Sequence, residues 1–247
     1  MSQQKKVALI TGANKGIGLE TARQLGKLGN TVLIGARDQG RGEQAAAQLR
    51  SEGIDARFLH LDVVNPAHIA AAKTAIEHDF GHLDILINNA GVMLESEDMM
   101  ANTSATVSQQ DLRATFDTNF FAVVALTQAL LPLIRKSPAG RIVNVSSILG
   151  SITLHATPKS PIYDAKLLAY DSSKAALNSF TVHLAHALRD TKIKVNSAHP
   201  GWVKTEMGGD GAMLEIPEGA KTEVDLATLP DDGPTSSYIH LDKTLPW

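Results

Sequence analysis

Short apolar runs alternate with longer stretches of helical period along this chain, and that alternation leaves few ways to fold. The runs lie at 7–11, 31–36, 56–63, 83–88, 141–145, 194–198 and, last and shortest, near 237–240. Each has the length of a strand buried on both faces. Between them, Ile17, Ala22, Leu25 and Leu28 fall on one side of a helix stopped by Gly29. A polar, alanine-rich helix covers 41–52, and Pro66 opens another with Ile69, Ala72, Ile76 and Phe80 in phase. A fourth runs over 112–133 behind the capping sequence Ser108-Gln109-Gln110-Asp111, a fifth over 170–189, and a sixth around 220–229. Segments 95–107 and 148–169 read as loops, and the glycine-rich 208–219 as a mobile flap. Strand and helix in alternation predict an α/β fold: a single-domain, doubly wound, mostly parallel seven-stranded sheet with helices on both faces. Right-handed crossovers then bring the carboxyl ends of the strands to one edge, where ligands bind.

Composition narrows the chemistry. The 247 residues include no cysteine, which removes disulfides, thiolate metal sites and a cysteine nucleophile. The formal charge of −3 comes without any long like-charge run, so a nucleic-acid backbone is not the expected partner. No apolar run approaches the roughly 20 residues of a membrane helix, and a short polar start leads straight into the first strand, so the reading is a cytoplasmic protein without a membrane. His78 and His82 stand four apart and His183 and His186 three apart, but no third ligand accompanies either pair, so no metal site is expected.

The strand ends carry the chemistry. The first run ends in Thr11-Gly12-Ala13-Asn14-Lys15-Gly16-Ile17-Gly18 and passes into a helix. Glycines there let the backbone approach a pyrophosphate, and the helix N-terminus faces its charge, as in Rossmann-type dinucleotide folds. The second ends in Ala36-Arg37-Asp38; Arg37 and Lys15 suit a ribose 2′-phosphate, whereas Asp38 in the ribose position would favour NAD. The fourth run ends in Asn88-Asn89, short amides suited to scaffolding. Asn119 is a poor helix-interior residue, either a tolerated defect or a group holding water. Tyr170 and Lys174 share one helix face four apart; a free phenol has a pKa of about 10, and an ammonium nearby lowers it, making the phenol a usable acid.

TGANKGIG, Asp62-Val63, NNAG, Asn119, Ser146-Ser147, Y-D-S-S-K and PGWVKT occur in that order, and with them the chain resembles the short-chain dehydrogenase/reductase family over nearly its whole length. Among its branches it is most similar to the carbonyl reductases, by TGANKGIG, Ala36-Arg37, HPGWVKT and the Leu-Pro-Trp ending. The resemblance implies an oxidoreductase that passes a hydride between NADPH and a ketone or aldehyde. It implies that Tyr170 gives the proton, Lys174 lowers its pKa and holds the nicotinamide ribose, Ser147 hydrogen-bonds the substrate oxygen, and Asn119 fixes a water of a proton relay. It assigns the cofactor to Gly12, Asn14, Lys15, Gly16, Ile17, Gly18, Arg37, Asp62, Val63, Asn89, Ala90, Gly91, Tyr170, Lys174, Pro200, Gly201, Val203 and Thr205, with Asn88 supporting the cofactor side. An NAD-linked alcohol dehydrogenase and a non-catalytic dinucleotide sensor are the alternatives. Twenty-three positions separate Ser147 from Tyr170, more than in most of the family. In carbonyl reductases an insertion here accompanies a monomeric state, and a monomer is the expectation, with a dimer the alternative. Loops 95–107, 148–169 and 206–219 hold Met93, Leu94, Leu154, Trp202, Met207 and Met213 in or beside them, which suggests an apolar, adaptable pocket for a small carbonyl or alcohol.

Overall fold

The structure is a computed structural model that describes residues 5–95 and 104–247. Its strands are β1 (Val7–Thr11), β2 (Thr31–Ala36), β3 (Ala56–His60), β4 (Ile85–Asn88), β5 (Arg141–Val145), β6 (Lys194–Ala198), β7 (Tyr238–His240) and β8 (Lys243–Thr244). They form one sheet in the order β3-β2-β1-β4-β5-β6-β7-β8. All pairings are parallel except the last, in which β8 runs antiparallel to β7. The sheet therefore has eight strands, not seven. The added strand is a two-residue return hidden in a polar stretch, made possible by Leu241 in the left-handed region at φ 53°. β3 also stops at His60, short of the expected 63.

Helices α1 (Gly16–Lys27), α2 (Gln39–Ser51) and α8 (Ile216–Ala227) cover one face; α3 (Pro66–Phe80), α5 (Ala122–Ile134) and α7 (Leu168–Ala187) cover the other. β1 shows the period of two that sorts side chains between them. Ala8 and Ile10 pack with Leu25, Leu49 and Val224, whereas Val7 and Leu9 pack with Ile76, Leu130 and Leu133. Each fully buried Leu or Ile contributes about 1.5–3 kcal/mol against exposure. Arg141, 2% exposed at the start of β5, donates to the carbonyls of Leu229, Ala139, Gly140 and Lys192, stitching that strand to the segment after α8.

Two segments differ from the sequence reading. The helix expected over 112–133 is α4 (Gln109–Phe116), a π-helical turn (Asp117–Phe121) and then α5. By length and composition the combined Gln109–Ile134 helix could cross a membrane, which the count of uninterrupted apolar residues had not suggested. Its Leu126, Leu130, Leu133 and Ile134 are buried against the sheet. The loop expected over 148–169 contains a 3₁₀ turn (Ile148–Gly150) and a short helix, α6 (Ile152–Ala156), capped by Ser151. Of the loop 95–107, residues 96–103 lie outside the described residues.

The order β2-β1-β4 reverses direction at β1, and a crevice opens there at the carboxyl ends of the strands. The turn 12–18, Asp62, Asn89–Gly91 positions 89–91, Ser147 and 200–205 all follow strands on that edge.

Candidate active site

The glycine turn is built around Asn89. Its amide donates to the carbonyl of Thr11 at 2.7 Å, and the Thr11 hydroxyl accepts from the backbone N–H groups of Asn89 and Ala90. Gly12 has φ 64°, a conformation side chains disfavour. A Cβ on Gly18 would lie 2.4 Å from the Asn89 amide nitrogen. α1 then starts at Gly16 without a side-chain cap, so its first N–H groups face the crevice free of protein partners of that kind. Asn14 and Ile17 stand in the same turn and at the helix start.

At the end of β2, Arg37 is exposed, and Asp38 Oδ1 accepts from Arg41 N at 2.8 Å as the N-cap of α2. Lys15 forms an ion pair with Glu206, which joins the glycine turn to the segment after β6. Asp62 follows β3, its Oδ1 accepting from Val64 N at 3.3 Å, with Val63 between them. Asn88 points into the sheet: its amide donates to Thr127 Oγ1 and Asn144 Oδ1, a scaffolding role like that read from its chemistry. After β6, Gly201 takes φ 91° behind Pro200, Val203 is buried and bridges Leu214, and Thr205 accepts from Gly208 N. The segment expected to be a flap is thus pinned at Leu214, whose carbonyl accepts from Lys204 N at 2.9 Å.

Four residues meet beyond the glycine turn. Tyr170 and Lys174, on one face of α7, are both buried. The Lys174 ammonium donates to Val145 O at 2.8 Å and lies 5.5 Å from the centre of the Tyr170 ring. Burial pushes the phenol up to about 12, a rise that the Ser147 side chain opposes. Burial also takes Lys174 down to about 8. The expectation that the ammonium lowers the phenol is therefore not met in this structure, because both groups have left water and the ammonium has turned to a carbonyl. Asn119 is turned inward by the π-helical turn, where an extra residue per turn rotates the side chain off the helix's own register. Its Oδ1 accepts from Val92 N at 2.8 Å, and its amide donates to Val92 O and to Ser173 Oγ. A Cβ on Gly91 would meet both Asn119 Oδ1, at 3.3 Å, and Lys174 Nζ, at 3.5 Å, so these groups face one another across that glycine.

Other residues support this group and carry no signal in the sequence. Tyr238, fully buried in β7, donates its hydroxyl to the carbonyl of Ser147, and its ring stacks on Trp247 at 5.5 Å. His199 is held neutral, pushed down to about 3 by burial and then by His240, and its Nδ1 accepts from Ile148 N and Gly201 N. That links the turn after Ser147 to the turn after β6. Among the described residues no group of three histidine or acidic side chains forms a metal cluster.

A sequence model of the short chain dehydrogenase family matches residues 6–212. The chain belongs to that family. Within it, the chain is 35% identical to the mouse (Mus musculus) protein named carbonyl reductase (NADPH) 1, with all of both chains aligned. It is 40% identical to a short-chain dehydrogenase of Penicillium roqueforti (strain FM164), covering 91% of this chain and 89% of that one. Among solved structures, an NADPH-bound carbonyl reductase from chicken fatty liver superposes with a TM-score of 0.85 at 30% identity, over 99% of this chain and all of the other. This short-chain dehydrogenase therefore has the family's fold together with its own buried tyrosine and lysine at the sheet edge.

Proposed function

We propose that this short-chain dehydrogenase is an NADPH-dependent reductase of ketones or aldehydes, reversible towards alcohol oxidation, with Tyr170 as the proton donor. The observation that carries the reading is the buried Tyr170 sharing one face of α7 with the buried Lys174, whose ammonium lies 5.5 Å from the centre of its ring. The residues present fit the dinucleotide. Gly12 and Gly18 let the turn close on Asn89 and Ala90, with which a Cβ would collide, and the uncapped start of α1 offers N–H groups to a pyrophosphate. Lys15 and Arg37 are the cations for a 2′-phosphate, and Asp38 already spends an oxygen on the start of α2, which supports NADPH over NADH. When bound, the reduced nicotinamide supplies the hydride.

The chain's own groups then manage the oxygen. A substrate carbonyl oxygen becomes negative as it is reduced, and the hydroxyls of Ser147 and Tyr170 stabilise that charge where it grows. A phenol raised to about 12 keeps its proton throughout the neutral range and gives it up only as charge grows on the substrate oxygen. Tyr170 gives its proton to the oxygen, and Lys174, its ammonium held on Val145 O, stands one helical turn from the phenolate left behind. Asn119, fixed on Val92, lies across Gly91 from that ammonium, and its remaining polar capacity would hold a water for returning the proton. Loss of NADPH over a panel of apolar ketones and aldehydes tests the proposal. Turnover with NADPH, and an NADPH Michaelis constant that rises relative to NADH in Arg37→Ala, is the expected result. Cofactor binding without turnover of any carbonyl identifies a sensor, and a larger loss for NADH in that variant identifies an NAD-linked enzyme.

A further inference from the structure

The helix that carries the acid has no cap of its own. α7 follows Leu167, an apolar N-cap that makes no side-chain bond to the helix, and Tyr170 is its third residue. The N–H groups of such a first turn have no partner inside the helix. Two carboxyls supply what Leu167 lacks. Asp171 Oδ2 reaches back to Leu167 N at 2.9 Å, and Glu95 Oε2, from 75 positions away, accepts from the backbone N–H of Tyr170 itself at 2.9 Å. Glu95 is 8% exposed and Asp171 9%, so both have been taken out of water.

That arrangement is costly, which is what makes it informative. Burial, and then the charge of Glu95, push the Asp171 carboxyl up to about 7, and its Oδ1 has no hydrogen-bond partner. The other groups facing the pair come from the inserted segment: His155 Nε2 lies 3.3 Å from Asp171 Oδ2, and Lys166 lies beside His155 at 3.1 Å. His155 is pushed down by burial, so it offsets little of the negative charge. A helix start needs only a serine or asparagine at its N-cap for the same bond. Here the acceptor comes instead from the segment that leaves β4 through Gly91 and Val92, the residues packed on Asn119.

We infer that Glu95 is a positioning residue: by capping α7 at the N–H of Tyr170, it fixes where the phenol stands and ties the acid to the strand-end segment that enters the loop 95–107. This rests on the reading of Tyr170 as the proton donor. Glu95 accepts from the backbone N–H of Tyr170, not from its phenol, in that bond, so it acts through the backbone of the residue it holds.

Glu95→Gln keeps an oxygen acceptor at the same reach, whereas Glu95→Met fills similar volume with none. Each is assayed for kcat and KM against a ketone the wild type reduces, with active sites counted by NADPH fluorescence titration and stability by urea melts. Glu95→Met should lower kcat about ten- to a hundredfold, the scale of an acid displaced by about an ångström, with the NADPH dissociation constant within about twofold of wild type; Glu95→Gln should recover most of the loss. Equal kcat in the two variants, whether both near wild type or both equally reduced, overturns the inference. If Glu95→Met does not fold, Glu95→Gln against Glu95→Ala decides it on the same terms. A wild type that reduces no carbonyl sinks the functional reading instead, and is told apart from the failure of this inference because it precedes any comparison of variants.

Discussion

Glu223 gives the sharpest quantitative expectation. It lies fully buried in α8, its Oε2 accepting from the Thr21 hydroxyl of α1 at 2.7 Å and its Oε1 without a partner. Burial raises the carboxyl from its ordinary 4.5 to about 8, against the pull of Thr21 and of Lys174. Between those two values the folded chain holds a proton that the unfolded chain has released. The folded state then binds more protons, so stability falls as pH rises through this window. At pH 7 the cost is about 1.4 kcal/mol for each of the 2.5 pH units above 4.5, or about 3 kcal/mol, and it levels off above about 8. Glu223→Gln keeps an oxygen for Thr21 and puts an amide where the protonated acid has its hydroxyl, so it removes the proton cost with little change in shape. The variant should be more stable by about 1 kcal/mol at pH 5.5 and about 3 kcal/mol at pH 7, the latter a rise of roughly 6–12 °C in melting temperature for a domain of this size. Urea melts of both proteins at 25 °C from pH 5.5 to 8.5 read the difference. Parallel curves, or a Gln variant that is less stable at pH 7, would refute the reasoning.

Two further outcomes follow from the supports of the site. Tyr238→Phe removes one of the two donors to the carbonyl of Ser147, which still accepts from Gly150 N, so it should cost about 0.5–1.5 kcal/mol in urea melts and lower kcat more than it raises KM; unchanged kcat would show that Ser147 does not depend on this bond. Gly18→Ala places a methyl 2.4 Å from the Asn89 amide and must displace it from Thr11, so it should weaken NADPH binding about tenfold or more, read by fluorescence titration; an unchanged dissociation constant would mean that the turn relaxes without cost.

Most of the fold was legible because strands and helices here obey their periods. β1, β2, β5 and β6 begin and end where the apolar runs do, and the glycine turn falls where the spacing put it. β8 was not, since two exposed residues in a polar hairpin have no pattern to read. The π-helical turn at Asp117–Phe121 was invisible for a related reason: one extra residue in a long apolar helix leaves the stripe nearly intact. In the site, Tyr170 and Lys174 were singled out by their spacing and Ser147 and Asn119 by the family resemblance. The phenol's rise to about 12 could not be read, because it depends on how completely the fold excludes water from the pair. Glu95 and Tyr238 were equally hidden. Each acts on a backbone group distant in sequence, 75 and 91 positions away, and such contacts exist only once the sheet has assembled.

The central claim is that reduction draws its proton from Tyr170. Single-turnover decay of the nicotinamide absorbance, with enzyme and NADPH in excess of a ketone, measures it in wild type and in Tyr170→Phe. A fall of about a hundred- to ten-thousandfold, with NADPH affinity within about threefold of wild type, is the predicted result. A phenylalanine variant that reduces the ketone within tenfold of the wild-type rate would contradict it.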